Sequence, residues 1–299
     1  MKVPAEAVVI TSRLAAFGGL SGIELSDDSK YLIALSDRAW VVRLDKRPPH
    51  RVASLMPLGG TDNAPSAFKD VESLRRAPDG GWWVAFEGVN RVAWYRPGWK
   101  GLAYPPKRQL LQGAFRGLVG NRGIETVATL PYGRGLALAE QSGDAQAIVF
   151  DPDGKVLARK HFRTEYPPVD AVALADGGLL ILTRAPIWPL PPTFVTELVY
   201  VAPGWEAEEI FSGRPLFRLD HALPGENYEG MAVEPLGGDM LRIWLVSDDN
   251  YSALQDTILV QMDLPLACLD ASVHCNPARV KALPPRAPAP RSRPSPPPG

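Results

Sequence analysis

Acidic side chains recur along this chain in two matched series. In the first, Glu24, Glu72, Glu125, Asp170 and Glu229 stand at intervals of roughly 45 to 60 residues, each beside a short apolar run. The second series, Asp37, Glu87, Glu140, Arg184 and Asp248, follows after one turn and one further apolar run. Carboxylates brought to one place cannot all stay bare and ionised, because two unit charges 4 Å apart repel by about 4 kcal/mol at an effective dielectric of about 20. Protonation, pairing with arginine or a bound cation relieves them. Hard oxygen donors in this number suit Ca²⁺, with Mg²⁺ the alternative, better than a softer metal. The candidate ligands are Glu24, Asp37, Glu72, Glu87, Glu125, Glu140, Glu229, Asp248, Asp249 and Asn250, and among them Glu72, Glu125, Glu229 and Asp248 are the candidate catalytic groups. Asp248, Asp249 and Asn250 offer three oxygen-bearing side chains in a row, so the cation is expected near them.

Arginines accompany the acids: Arg38 beside Asp37, Arg91 after Glu87, Arg122 before Glu125, and Arg184 at the carboxylate's place in the fourth repeat. A guanidinium fork grips phosphate or carboxylate in two-point fashion, so these four are the candidate contacts to a small anionic ester. A purely structural reading stands beside the chemical one: repeated acids also accept hydrogen bonds from turn amides and hold neighbouring repeats together, with no chemistry.

Residues so far apart in sequence meet only if the fold repeats around an axis. Each unit reads as four short strands, most with a Gly-containing turn after the first; in the first unit the later three are Tyr31 to Leu35, Trp40 to Leu44 and Arg51 to Leu55. That is the plan of a β-propeller blade, whose innermost strands converge on a central channel. Five blades are readable, and a sixth is open if Ser212 to Gly225 conceals a degenerate one. The last unit lacks a fourth strand after Thr257 to Met262, whereas the chain start has a spare one at Ala7 to Thr11. The N-terminal strand is therefore expected to complete the last blade, which leaves no unpaired edge. Residues 1–276 read as a single all-β propeller domain, and 277–299 as a Pro-rich disordered tail.

A net charge of -1 gives no global field for nucleic acid, and no stripe of basic and aromatic residues is present. No apolar run reaches the roughly 18 residues of a membrane helix. A nucleophile elbow, a phosphate-binding Gly-rich loop and an HExxH motif are all missing, and His50, His161, His221 and His274 are scattered. Cys268 and Cys275 pair if the compartment is oxidising and are two thiols otherwise. A monomer is expected.

FGGLSGIE from Phe17, Ser36-Asp37-Arg38, DVESL from Asp70, FEGVNR from Phe86, NRGIE from Asn121, Ala139-Glu140, NYEG from Asn227 and WLVSDDN from Trp244 together resemble the phytase-like family named for "esterase-like activity of phytase". The resemblance implies a propeller of five or six blades, a hydrolase or esterase, and an exported protein, periplasmic or extracellular. The N-terminus, Met1 to Glu6, carries no secretory leader, which leaves the cytoplasm open. Ala39 stands where the family usually has glycine. The phosphate-binding motifs of calcium-dependent propeller phytases have no residue-by-residue counterpart, so phytate itself is not implied. Two readings of function follow. One is a metal-assisted hydrolase at the acidic channel mouth, acting on a phosphate ester, a carboxylic ester or, as in gluconolactonase-type propellers, a lactone. The other is a non-catalytic propeller that binds a ligand or protein.

Overall fold

The computed structural model describes residues 1–61, 65, 69–118, 123–187 and 193–280, and the tail expected over 277–299 lies outside them from residue 281 onward. The described residues form five sheets around an axis, one per repeat, and in the first four the repeat's own strands run in sequence order from the centre outward. Blade one contains Leu20–Leu25, Tyr31–Ser36, Trp40–Asp45 and Val52–Pro57. Blade two contains Val71–Arg76, Trp82–Phe86, Arg91–Tyr95 and Arg108–Leu110. Blade three follows with Ile124–Thr129, Gly135–Ala139, Gly143–Phe150 and Val156–Thr164, and blade four with Pro168–Ala173, Leu179–Ile187, Thr193–Val201 and Arg214–Arg218.

Blade five is built from both ends of the chain. Asn227–Gly237, Met240–Asp248 and Ile258–Pro265 are joined by Ala5–Val9, which pairs antiparallel with the third strand in the register Ala5 to Met262 and Val9 to Ile258. The expected closure is present, and it gives a partner to an edge that would otherwise invite aggregation. A parallel bridge between Lys2–Val3 and Asn276–Pro277 extends it, the amide of Ala278 donates to the carbonyl of Val3, and a disulfide joins Cys268 to Cys275.

The stretch Ser212 to Gly225 does not hide a sixth blade. Arg214–Arg218 is the outer strand of blade four, and Ile210–Ser212 lies parallel along the outer edge of blade three. Blade four thus lends a fifth strand to its neighbour.

Successive side chains of a strand point to opposite faces of a sheet, so each blade packs against both neighbours. Trp82 joins the apolar layer shared with blade one, beside Ile33 and Leu35, while Trp83 joins the layer shared with blade three, with its ring centroid 5.0 Å from that of Phe150. Phe150 in turn lies over Gly135, where a Cβ would come within 2.2 Å of its ring; the close approach requires glycine.

One irregularity repeats in every blade and decides what reaches the axis. The pairing of the first two strands skips a residue at the same point: Leu20 faces Ser36 but Gly22 faces Leu35, and the same jump occurs in the other four. The skipped residues are Ser21, Glu72, Glu125, Val169 and Glu229. A bulge of this kind bends the strand and re-aims one side chain. Glu24 and Asp170 are therefore not the counterparts of the three glutamates, as their acidity had suggested; Ser21 and Val169 hold those places.

Candidate functional site

Three tiers of side chains surround the axis at one end of the propeller. The bulges supply the lowest, with Glu72, Glu125 and Glu229. The ends of the second strands supply the next, Asp37, Glu87, Glu140, Arg184 and Asp248. Four of these five are set by one repeated bond, in which their amides donate to the carbonyls of Gly19, Asp70, Gly123 and Pro167 at 2.8–3.1 Å, while Asp248 pairs with Asn227. The residues before the first strands supply the third tier, of which Asp70 and Asn227 carry polar side chains. These tiers line a cavity of about 320 Å³ with Phe194 and Asn250 on its wall.

Arg75 lies beneath the acids, three residues beyond the bulge of blade two. Its guanidinium donates to the carbonyls of Ile23, Leu74, Ala171 and Met231, so one side chain ties together the inner strands of four blades. Its Nη2 also lies 2.7 Å from Asp170 Oδ1, and Asp170 accepts from the amides of Ala171 and Met231. Burial pushes the Asp170 carboxyl up to about 6 in spite of that arginine. Asp170 thus serves the floor of the channel. So does Glu24, which stands level with Arg75, 4.0 Å from its Nη1, and accepts from the amide of Leu25. Glu24 does not line the cavity, and its expected role as a metal ligand is corrected on that ground.

Asp249 is also removed from the ligand set. Its Oδ1 accepts from the amides of Gly19 and Tyr251 and its Oδ2 from the Thr257 hydroxyl, so both oxygens hold the turn that joins blades five and one. Asn250 does line the cavity, while its amide group donates to Gln255. Of the four arginines, Arg184 alone is in the cavity wall among the described residues. Arg38 lies exposed over the Tyr251 ring and Arg91 stacks on Phe86, both outside the wall, and Arg122 falls outside the described residues.

The oxygens that come closest together belong to blades two and three. Asp70, Glu72 and Glu87 each place one carboxylate oxygen within 4.8 Å of the others, and so do Glu87, Glu125 and Glu140. The cation expected beside Asp248 is better served here, because Glu229 Oε1 already receives Arg184 Nη2 at 2.6 Å and Asn227 Nδ2 at 2.7 Å, and Asp248 receives the Asn250 amide. Asp70 was not among the sequence candidates. Its signal is the shared spacing of Asp70-Val71-Glu72 and Asn227-Tyr228-Glu229, an oxygen-bearing residue two before the glutamate. Phe194 has no comparable signal.

Crowding shows in the acidities. Burial first, then Glu229, Asp70, Glu87 and Asp37, hold Glu72 well above the usual carboxylate range. Glu125 is raised in the same way by burial and by Glu72, Glu140 and Glu87. Burial carries Glu87 up to about 7 against the pull of the Gly123 amide, and Asp248 to about 8 with Glu229 adding to it. Arg184 is held above its ordinary value: burial lowers it, but Glu229, Glu125, Glu140 and Asp248 outweigh that. Two further observations fit a cation. Glu125 is only 6 % exposed and receives no hydrogen bond or ion pair from any described residue, and the buried Oδ1 of Asn227 has no donor.

Among solved structures, a luciferin-regenerating enzyme is 10 % identical over 92 % of this chain and 99 % of its own, with a TM-score of 0.51, a likeness of fold alone. The PQQ-bound aldose sugar dehydrogenase of Streptomyces coelicolor is 14 % identical over 87 % and 98 % with a TM-score of 0.46, and a streptogramin B lyase 9 % identical over 86 % and 98 % with a TM-score of 0.47. No curated protein matches the sequence. The profile of the phytase-like family, "Esterase-like activity of phytase", matches residues 15–251, and the chain belongs to that family.

Proposed function

We propose that the protein is a metal-assisted hydrolase of small anionic esters, with its site at the acidic mouth of the propeller channel. The observation that carries this reading is the meeting of three carboxylates within 4.8 Å, twice, in a cavity above the Arg75 crosslink. The oxygens of either triad, Asp70, Glu72 and Glu87 or Glu87, Glu125 and Glu140, would hold the divalent cation, and their hardness favours Ca²⁺, with Mg²⁺ second. When bound, such an ion supplies a lowered water pKa and a positive charge for the oxygen on which negative charge develops.

The chain's own residues supply the rest. Arg184 and Asn227 fix one oxygen of Glu229 and leave the other to accept a proton from the attacking water. Asp248, pushed up to about 8, keeps a proton near neutral pH that it can deliver to the leaving group. Glu72 and Glu125 orient water from the tier below. Arg184, the one guanidinium in the wall among the described residues, faces the anionic end of the ester. The Cys268–Cys275 disulfide supports a location outside the cytoplasm. The protein acts as a monomer in this reading.

A panel of aryl phosphates, aryl carboxylates and lactones, with and without chelator, tests the proposal on the wild type and on Glu229→Gln and Asp248→Asn. Cation-dependent turnover that falls at least about 100-fold in each variant is expected, in line with loss of a general acid or base. Turnover indifferent to chelator, or untouched by both substitutions, would overturn it.

A further inference from the structure

We propose that the mouth holds two divalent cations side by side, with Glu87 shared between them; this rests on the metal-assisted reading above. Two oxygens bound to one Ca²⁺ at about 2.4 Å each cannot be more than about 4.8 Å apart. Asp70 and Glu72 meet that limit with Glu87, and Glu125 and Glu140 meet it with Glu87, but the five do not gather within it as one group. A carboxylate has two oxygens, so Glu87 can serve one ion with each, Oε1 also keeping the Gly123 amide at 3.1 Å on a second lone pair.

The polar atoms around the two triads point the same way. Glu125, in the second triad, is nine-tenths buried with no donor among the described residues, although it faces a cavity ringed by other acids. Asn227 Oδ1, 2 % exposed as a residue, is likewise without a donor, but it lies beside Glu229 on the blade-five side of the cavity and belongs to neither triad. Eight carboxylates and one guanidinium line the cavity, so each bound cation makes the wall less repulsive to an anionic ester. Paired cations match a phosphate ester, since each can face one of the attacking and leaving oxygens of an in-line displacement. The substrate class assigned is therefore a phosphate ester in preference to a lactone or carboxylic ester.

Calorimetric titration of the full chain, first stripped with chelator, with CaCl₂ and separately with MnCl₂ reads the stoichiometry without reference to turnover. Two equivalents are expected for the wild type, one each for Asp70→Asn and Glu140→Gln, and at least a tenfold loss of affinity at both sites for Glu87→Gln. Melting curves of each variant in chelator confirm the fold, and neutralising a crowded acid is expected to raise the midpoint. One equivalent in the wild type, or two retained in both Asp70→Asn and Glu140→Gln, would overturn the paired site while leaving a single-ion hydrolase standing. No binding at millimolar cation would overturn both readings.

Discussion

Arg184 Nη2 and Glu229 Oε1 lie 2.6 Å apart across the boundary of blades four and five, and this pair neutralises one sector of a ring that is acidic in every other blade. In four blades a carboxylate stands at or just past the end of the second strand, and blade four has at that level the guanidinium that their charge requires. Arg184→Met should therefore leave Glu229 buried beside Glu140 and Asp248 without a counter-charge. Loss of one partner of a buried pair costs about 3–5 kcal/mol. Urea unfolding should show a loss of that order in Arg184→Met, most of it recovered in Arg184→Met/Glu229→Gln. A double variant no more stable than the single one would show that the pair is not the source.

Stability without cations should fall as pH rises. Glu87 and Asp248 are pushed up to about 7 and about 8, above their unfolded values, and burial and neighbouring carboxylates hold Glu72 and Glu125 well above theirs. A carboxyl raised by folding favours the native state while it is protonated. Its contribution is complete below the unfolded value and is lost as pH climbs through the folded one. In chelator, the melting temperature should drop between about pH 5 and pH 8. Saturating Ca²⁺ should raise the curve and flatten it, since a ligand of the ionised ring stabilises only the folded state. A melting temperature that climbs with pH over this interval in chelator would contradict the assignment.

Arg75 should be among the least replaceable residues outside the mouth. It is 2 % exposed and joins four inner strands through their carbonyls. Arg75→Lys keeps the charge but cannot reach all four with one ammonium. Both Arg75→Lys and Arg75→Met should lose at least about 3 kcal/mol in urea unfolding, the cost of leaving Asp170 and the carbonyls without their partner. Cation affinity that survives in Arg75→Lys would place the effect on the scaffold.

The disulfide closes a loop of seven intervening steps and sits beside the strap formed by Lys2–Val3 and Asn276–Pro277. Chain-entropy arguments give about 2–3 kcal/mol for so short a loop. Cys268→Ser/Cys275→Ser should melt earlier by that measure and release the N-terminal strand to protease first. A melting temperature equal with and without reductant would count against the disulfide as a brace of blade five.

Much of this was legible in the residues. Apolar runs with Gly turns marked the blades, and the spare first strand with the missing last one marked the closure. In the series Asp37, Glu87, Glu140, Arg184 and Asp248 the four acids stand at or just past the end of a strand, where composition changes, and Arg184 holds the same level inside the longer strand Leu179–Ile187. The first series was placed only in part. Glu72, Glu125 and Glu229 were matched to Glu24 and Asp170 by chemical type, whereas the bulge selects by position and puts Ser21 and Val169 there. A bulge leaves no mark in a sequence when the residue that occupies it is apolar or small. The row Asp248-Asp249-Asn250 misled for a related reason: three adjacent side chains point in different directions, and Asp249 turns to the amides of Gly19 and Tyr251.

The way blade five is shared between the two ends of the chain also governs the order of its assembly. Ala5–Val9 is made before every inner strand of the propeller, yet its partner Ile258–Pro265 is made after all of them. Through most of synthesis that strand must wait unpaired, exposed to the other sticky edges of a half-made toroid. Contacts so distant in sequence form slowly, after their loop entropy has been met. The acids of blades two and three can thus meet early, whereas Glu229 and Asp248 complete the ring only when the last blade closes.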